Sequence, residues 1–473
     1  MKPIHYLYFA LSTLINFVTA DTPSKPNLVV ILFDDLGYGD IGPFGSKLNR
    51  TPNLDRMAAE GMKLTSFYTA PVCSASRAQL MTGCYAKRVS ISGALFPVST
   101  VGLNPKETTI AEYLKQQGYA TQVVGKWHLG DQPEFLPTRQ GFDHFFGIPY
   151  SNDMGAQPRT PTGQKPRPPL PLLRDERTIE APPEQHSLTE RFTDESLAFI
   201  RSNRQRPFFL YLAHIATHVP LEAGKAFRGK SANGAYGDWV EEADWSVGRI
   251  LEALREMKLE RSTLVVFTSD NGPWISKGKN AGIATPLRGS KFSCWEGGMR
   301  VPAVAWWPGK IPAGAVSDAV TSGMDLLPTA VGLAGGKIPA DRRLDGKDLW
   351  PLLSGREQKS PHDALCYWDG LWLAAVRAGE WKLQIRPQKE TEHETGGKPV
   401  DVYAIKDFTP RLYNLQSDPG ETTDLAASHP DVVKRLQDLI RPMDEDLGLK
   451  GDKAPGIRPP GRVEDPQPLL LKP

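Results

Sequence analysis

Three stretches of the chain are apolar with almost no interruption: Asn27–Phe33, Phe208–Ala213 and Thr263–Thr268. Without a polar residue at alternate positions, such runs predict strands buried on both faces. Further strands are predicted at Lys63–Ala70, Ala120–Val124 and Val301–Trp306. Helical segments lie between them. One opens near Thr51 or Asn53 as cap and runs to Gly61, and another begins at Cys73. Further helices span Thr108–Gly118, Leu188–Asn203 and Tyr236–Met257, and another starts within Thr321–Gly332. Buried strands alternating with helices predict an α/β sandwich over the first three-quarters of the chain. After Ser354-Gly355 the pattern changes to short strand-like runs at 364–368, 371–377, 381–385 and 411–413. A closing helix over 430–447 and a Pro-rich tail follow. This divides the chain into a large unit over 21–360 and a smaller α+β unit over 361–473.

Polar residues with chemical potential follow the strand-like runs four times: Asp34/Asp35, Lys126/His128, His214/His218 and Asp270/Asn271. Ligands of open α/β sheets bind at the carboxyl ends of strands. Adjacent carboxylates such as Asp34 and Asp35 repel unless a cation lies between them; the alternative is a solvated Asp/Gly turn. Lys126 and His128 alternate as strand residues do, which puts both on one side of an extended backbone. His214 and His218 have the spacing of helical metal ligands, but Pro220 and the preceding strand oppose a helix there. Asp34, Asp35, Asp270 and the Asn271 amide oxygen form an all-oxygen set suited to Ca²⁺ or Mg²⁺.

Cys73-Ser74-Ala75-Ser76-Arg77 reads as a helix start, with Pro71 fixing the backbone ahead of it. That places the sulfur at the positive helix end with a guanidinium one turn on, a setting that lowers a thiol's pKa and suits oxyanion chemistry. The alternative is a buried cysteine ahead of an ordinary helix.

Composition narrows the picture in three places. Gly 43 and Pro 42 indicate many loops. A net charge of +2 gives no reason to expect nucleic acid or a membrane surface, and no stretch after the N-terminal one is long and apolar enough to predict stable membrane insertion. Met1–Ala20 has the basic, apolar and small-residue zones of a signal peptide cleaved before Asp21, which predicts export to a secreted, periplasmic or lysosome-like compartment. Ala156–Gln185 is dense in Pro, Arg and Lys. It reads as a long irregular loop, either plain surface or a pocket rim where Arg159, Lys165, Arg167, Arg174 or Arg177 meets an acidic substrate.

Cys73–Arg77 with Leu80-Met81-Thr82-Gly83 resembles the signature of the type I sulfatases, although the commonest form has proline at the position of Ala75. The likeness continues in Gly125–Gly130, Gln140–Asp153, Thr217–Pro220, Leu287–Lys291 and Trp295–Pro302. Gly147–Ser151 is similar to the arylsulfatase A and N-acetylgalactosamine-6-sulfatase branch. The resemblance implies an alkaline phosphatase-like fold, with a large mixed sheet between helices and a small antiparallel C-terminal sheet plus helix. It implies a sulfuric ester hydrolase acting on a sulfated carbohydrate or aryl sulfate. Cys73 would be oxidised to formylglycine by a maturation enzyme, leaving three cysteines and room for one disulfide. Calcium, or magnesium, would be held by Asp34, Asp35, residue 73, Asp270 and Asn271. Arg77 and Lys126 would hold the nucleophile, His128 would act as base in sulfate release, and Lys126, Ser151, His218 and Lys291 would bind sulfate. Asn152 stands where relatives often carry His, and Trp274, Trp368 and Trp372 could stack on a ring. Two other readings are a phosphate or phosphonate ester hydrolase of the same superfamily, and a non-catalytic sulfoglycan-binding protein with an unmodified Cys73.

Overall fold

The computed structural model describes residues 25–156, 166–389, 402, 405 and 407–471. The expected signal peptide, Arg159 and Lys165 lie outside them. The strands are β1 Asn27–Phe33, β2 Met62–Tyr68, β3 Val101–Gly102, β4 Ala120–Lys126, β5 His144–Ile148, β6 Leu172–Arg174, β7 Arg177–Glu180, β8 Phe208–Ala213, β9 Thr263–Ser269, β10 Arg300–Trp306, β11 Ala315–Ser317, β12 Thr321–Ser322, β13 Leu365–Asp369, β14 Trp372–Ala378, β15 Trp381–Gln384, β16 Arg411–Asn414 and β17 Gly461–Arg462. The helices are α1 Pro52–Glu60, α2 Cys73–Thr82, α3 Ile110–Gln116, α4 Leu188–Ser202, α5 Gly234–Glu256, α6 Glu296–Met299, α7 Leu326–Leu333, α8 Trp350–Leu353 and α9 Pro430–Leu447.

One large sheet runs in the order β11-β2-β10-β9-β1-β8-β4-β5-β6-β7, with β12 beside β2. Its centre, β9-β1-β8-β4-β5, is entirely parallel. Antiparallel pairs flank it at β9/β10 and β5/β6, so the sheet is mixed. Alternate residues of β1 enter two different cores. Val30 and Leu32 join Phe67, Leu114 and Leu327. Val29, Ile31 and Phe33 join Phe192, Trp239 and Ile250 from α4 and α5. A strand covered on both sides needs apolar residues at every position, which accounts for the uninterrupted run.

The C-terminal antiparallel sheet, β13-β14-β15-β16, packs on α9 through Leu373, Leu383, Leu436 and Ile440. The same cluster includes Tyr68, Met299 and Met324, so the small sheet shares a core with the edge of the large one. A buried ionic joint adds to it. Lys382 Nζ lies 3.2 Å from Glu296 Oε1 and 2.7 Å from Glu421 Oε1, and Glu296 also accepts from Tyr68 and Tyr367.

Several local expectations change. Thr51 stands at the N-cap of α1, but its hydroxyl accepts from the Gly42 N–H. The first turn of α1 is capped from α5 instead: the Asp244 carboxylate accepts from the backbone N–H groups of Asn53 (3.2 Å) and Leu54 (2.9 Å). The stretch 156–185 is not wholly irregular, because β6 and β7 form a hairpin that extends the sheet. All four cysteines are buried and free, so the possible disulfide is not formed. Thr321–Gly332 starts as β12 before turning into α7. No described helix is long and apolar enough to cross a membrane.

Asp244→Ala strips two backbone N–H groups, one buried and one partly buried, of their acceptor and is expected to cost about 1–3 kcal/mol. The measurement is the thermal midpoint of the variant, expected several degrees below that of the parent.

Candidate active site

The four polar pairs fall at the carboxyl ends of β1, β4, β8 and β9, which are neighbours in the parallel centre of the sheet. Backbone contacts lock these ends together. Asp34 N donates to Ala216 O at 2.7 Å, Thr217 N to Asp34 O at 2.6 Å, and Asp270 N to Phe33 O at 3.0 Å. Gly125, at φ 110°, lets β4 lie against β8 just before Lys126; a Cβ there would sit 1.9 Å from Ala213 O. Asp35 (φ 60°) and His128 (φ 61°) both occupy the left-handed region. Non-glycine residues persist in it where the surrounding structure over-determines them, often at functional sites. Lys126 is therefore the last strand residue, whereas His128 lies past the strand and turns by its own backbone, not by strand alternation.

Charges alternate inside this pocket. Arg77, fully buried on α2, donates Nε (3.2 Å) and Nη2 (2.9 Å) to Asp270 Oδ2, Nη2 to Asp34 Oδ2 (3.3 Å), and Nη1 to Lys126 O (2.6 Å). Lys126 Nζ donates to Asp34 Oδ2 at 2.5 Å and to Ser151 Oγ at 3.3 Å. Lys291 Nζ sits 2.7 Å from Asp35 Oδ1 and 2.9 Å from Asp35 Oδ2. Burial pushes the Asp34 carboxyl up, but the charges of Lys126, His218 and Arg77 outweigh it and hold the group well below its ordinary value. Asp270 goes the other way. Burial, with the Asp34 carboxylate beside it, pushes it up to about 6.

His128 and His218 each have one ring nitrogen fixed by a carbonyl. His128 Nε2 lies 2.8 Å from Leu95 O, so that nitrogen carries the proton and Nδ1 keeps the lone pair. His128 Nδ1 is buried without a hydrogen-bond partner. Burial, then the charges of Lys126 and Arg77, push the ring's pKa well below the ordinary value, keeping it neutral. His218 Nδ1 faces Val219 O at 2.6 Å and Ser151 Oγ at 3.5 Å, and its Nε2 lies 3.6 Å from Asp35 Oδ2. His214 bonds Ser246 at 3.0 Å and is depressed to about 3 by burial; no hydrogen bond links it to the charged pocket.

Two oxygens of the cluster, Asp34 Oδ1 and Asn271 Oδ1, are buried with no hydrogen-bond partner among the described residues. Buried polar atoms without partners are rare, and a pair of them beside an acidic cluster fits a hard cation. Ligand atoms of Asp34, Asp35 and His218 lie within 4.8 Å of one another. Cys73 and Asp270 are not in that tight group; the Asp270 oxygens are engaged by Arg77 and by the Asp35 N–H. Asn271 Nδ2 turns to Asp35 Oδ1 at 2.7 Å.

Cys73 is the first residue of α2 and is buried. Its N-cap is Val72, with no side-chain cap. Burial raises the thiol's pKa and outweighs the opposing charges of Lys126 and Lys291, contrary to the activated thiol expected at a helix start. Left as cysteine, the residue is a weak nucleophile here. Asn152 Nδ2 reaches Gln185 Oε1 (3.2 Å) and Pro220 O (3.3 Å) at the edge of the site. Of the three candidate stacking residues, Trp274 lies beside His218, with ring centroids 5.5 Å apart. Trp368 packs in the C-terminal core, and Trp372 lies in β14 under Arg386. The Leu95 and Val219 carbonyls, which set the histidine tautomers, carry no side-chain signal in the sequence.

A charged pocket of this composition, at the strand ends of a mixed α/β sheet, defines a site for reactions at a tetrahedral oxyanion ester. The sulfatase family profile matches residues 26–336, and that of the C-terminal region of aryl-sulfatase matches residues 360–453; the chain belongs to the sulfatase family. It is accordingly a sulfuric ester hydrolase. It is 39% identical to dog (Canis lupus familiaris) N-acetylgalactosamine-6-sulfatase, over 89% of this chain and 86% of the relative. Identity to human (Homo sapiens) arylsulfatase A is 40%, over 88% and 87%. Among solved structures, the PsFucS1 sulfatase from Pseudoalteromonas sp. superposes with a TM-score of 0.80 at 28% identity, covering 89% of this chain and 90% of that one.

Arg77→Met removes the guanidinium shared by Asp34 and Asp270. Breaking a buried ion pair from one side is expected to cost about 3–5 kcal/mol. Chemical denaturation of the variant at neutral pH checks it.

Proposed function

We propose that this sulfatase removes sulfate from a sulfated carbohydrate, with residue 73 converted to formylglycine and a hard divalent cation, calcium in preference to magnesium, in the pocket. The observation that carries the reading is the pair of partnerless oxygens, Asp34 Oδ1 and Asn271 Oδ1, in a pocket whose charges act on Cys73. Asp34, Asp35, Asn271 and Asp270 would hold the cation, with residue 73 beside them. Once bound, the cation would withdraw electron density from a sulfate oxygen. Formylglycine hydrate supplies one hydroxyl to attack sulfur and a second whose deprotonation frees the sulfate.

The remaining work falls to the side chains. Arg77 and Lys126 orient residue 73. Asp270 takes the proton of the attacking hydroxyl. Lys126, Lys291, His218 and the Ser151 hydroxyl balance charge on the sulfuryl oxygens. The departing alcohol receives its proton from Lys291 Nζ or from Nε2 of a protonated His218, which both lie against Asp35. His128 uses the free lone pair on Nδ1 to take the proton of the second hydroxyl, and its buried, neutral ring suits that task.

Trp274 beside His218 offers a face for a sugar ring, and the similarity to an N-acetylgalactosamine-6-sulfatase points the same way. Domain limits of 21–360 and 361–473 are consistent with the change from the large sheet to the small one. Export by a signal peptide over 1–20, and maturation by a formylglycine-generating enzyme that accepts Ala75, complete the reading.

The test uses Cys73→Ser, whose side chain lacks the second hydroxyl. Incubated with 4-nitrophenyl sulfate or a sulfated N-acetylhexosamine, it is expected to release at most one equivalent of alcohol and to retain one sulfuryl group, seen by intact mass. The parent turns over repeatedly on sulfate esters and prefers them to 4-nitrophenyl phosphate. Preference for the phosphate ester, or repeated turnover by the serine variant, would refute the reading.

A further inference from the structure

At the mouth of the charged pocket, two aromatic rings each lie under a cation that is not committed to a carboxylate. Trp274 follows the Asp270-Asn271 turn, is half-buried, and lies next to His218. Lys291 Nζ is 4.6 Å from its ring centroid and Lys277 Nζ is 4.0 Å away. The two lysines differ in what else they hold. Lys291 is buried on Asp35, whereas Lys277 is exposed and has no ion pair among the described residues. On the His128 side, Phe96 follows Leu95, whose carbonyl holds His128 Nε2. Phe96 is 56% exposed, and the Arg167 guanidinium lies 5.8 Å from its centroid. Arg167 also has no ion pair among the described residues, while Arg174, from the same stretch, is paired with Glu195.

The cations inside the pocket are matched by its own carboxylates: Arg77 by Asp34 and Asp270, Lys126 by Asp34, and Lys291 by Asp35. They serve one sulfuryl group. A second anion on the same ligand must find its charge elsewhere, and Lys277 and Arg167 are placed to supply it from opposite sides. Each cationic head lies over an aromatic face, with Lys277 exposed and Arg167 only partly buried, so a ligand can take up the charge without stripping water from a fully buried ion.

We infer that Lys277 and Arg167 are specificity determinants that hold further sulfate or carboxylate groups on sugars flanking the reacting one, so that the substrate is a polyanionic glycan, not a lone aryl sulfate. Trp274 and Phe96 supply the ring faces on which those sugars stack. The inference rests on the sulfate-ester reading above.

Calorimetry on Cys73→Ala protein with calcium, which lacks the nucleophile, separates binding from turnover. The titrants are a polysulfated tetrasaccharide and inorganic sulfate. Adding Lys277→Met and Arg167→Gln is expected to weaken the tetrasaccharide by about tenfold or more while inorganic sulfate changes by less than about twofold. Lys277→Arg with Arg167→Lys restores the affinity. An unchanged tetrasaccharide affinity, equal losses for both titrants, or no tetrasaccharide binding by the Cys73→Ala parent overturns the inference. Intact inorganic sulfate binding shows that the variants are folded. Failure of the unmutated protein to release sulfate from any ester would instead strike the hydrolytic reading, whatever the binding ratio.

Discussion

Three carboxylates and three cations share one buried pocket, and desolvation decides what that pocket can be. Taking an ion out of water costs of order several kcal/mol even after relaxation, so each must be met by an opposite charge at contact distance. Arg77 bridges Asp34 and Asp270, Lys126 meets Asp34, and Lys291 meets Asp35. This mutual neutralisation lets a buried α/β sheet end in charge instead of solvent. It is incomplete at Asp34 Oδ1 and Asn271 Oδ1, where a bound cation would complete the oxygens' bonding. Four adjacent parallel strands, β9-β1-β8-β4, bring the segments that carry positions 34, 126, 218 and 270 to one edge of the sheet.

The same burial sorts the titratable groups into roles. Burial, the largest cause in each case and joined by neighbouring charges, raises the Cys73 thiol and Asp270 and lowers His128. A neutral imidazole with one nitrogen fixed on a carbonyl is a proton acceptor by construction. A buried thiol whose pKa is raised is a poor nucleophile, which fits the proposed conversion of Cys73.

Much of this was legible in the sequence because its causes are local. The uninterrupted apolar run of Asn27–Phe33 follows from two cores, and the polar pairs after the runs follow from the strand-end rule. The sequence did not show features whose cause lies elsewhere in the chain. Asp244 caps α1 from 190 residues away, the Leu95 carbonyl sets the His128 tautomer, and left-handed backbone at Asp35 and His128 has no compositional marker. Helix-end reasoning also misjudged the Cys73 thiol, because the helix-terminus effect is small beside full desolvation. The strand-alternation argument for His128 failed, because the residue lies past the end of β4 and its own left-handed backbone sets its direction.

The most direct test of this account is the peptide mass of residue 73 in protein purified from its native export route. Loss of the thiol and gain of an aldehyde is the predicted result. An unmodified cysteine in correctly exported, folded protein would contradict it, because nothing else in the pocket supplies a nucleophile with a second hydroxyl.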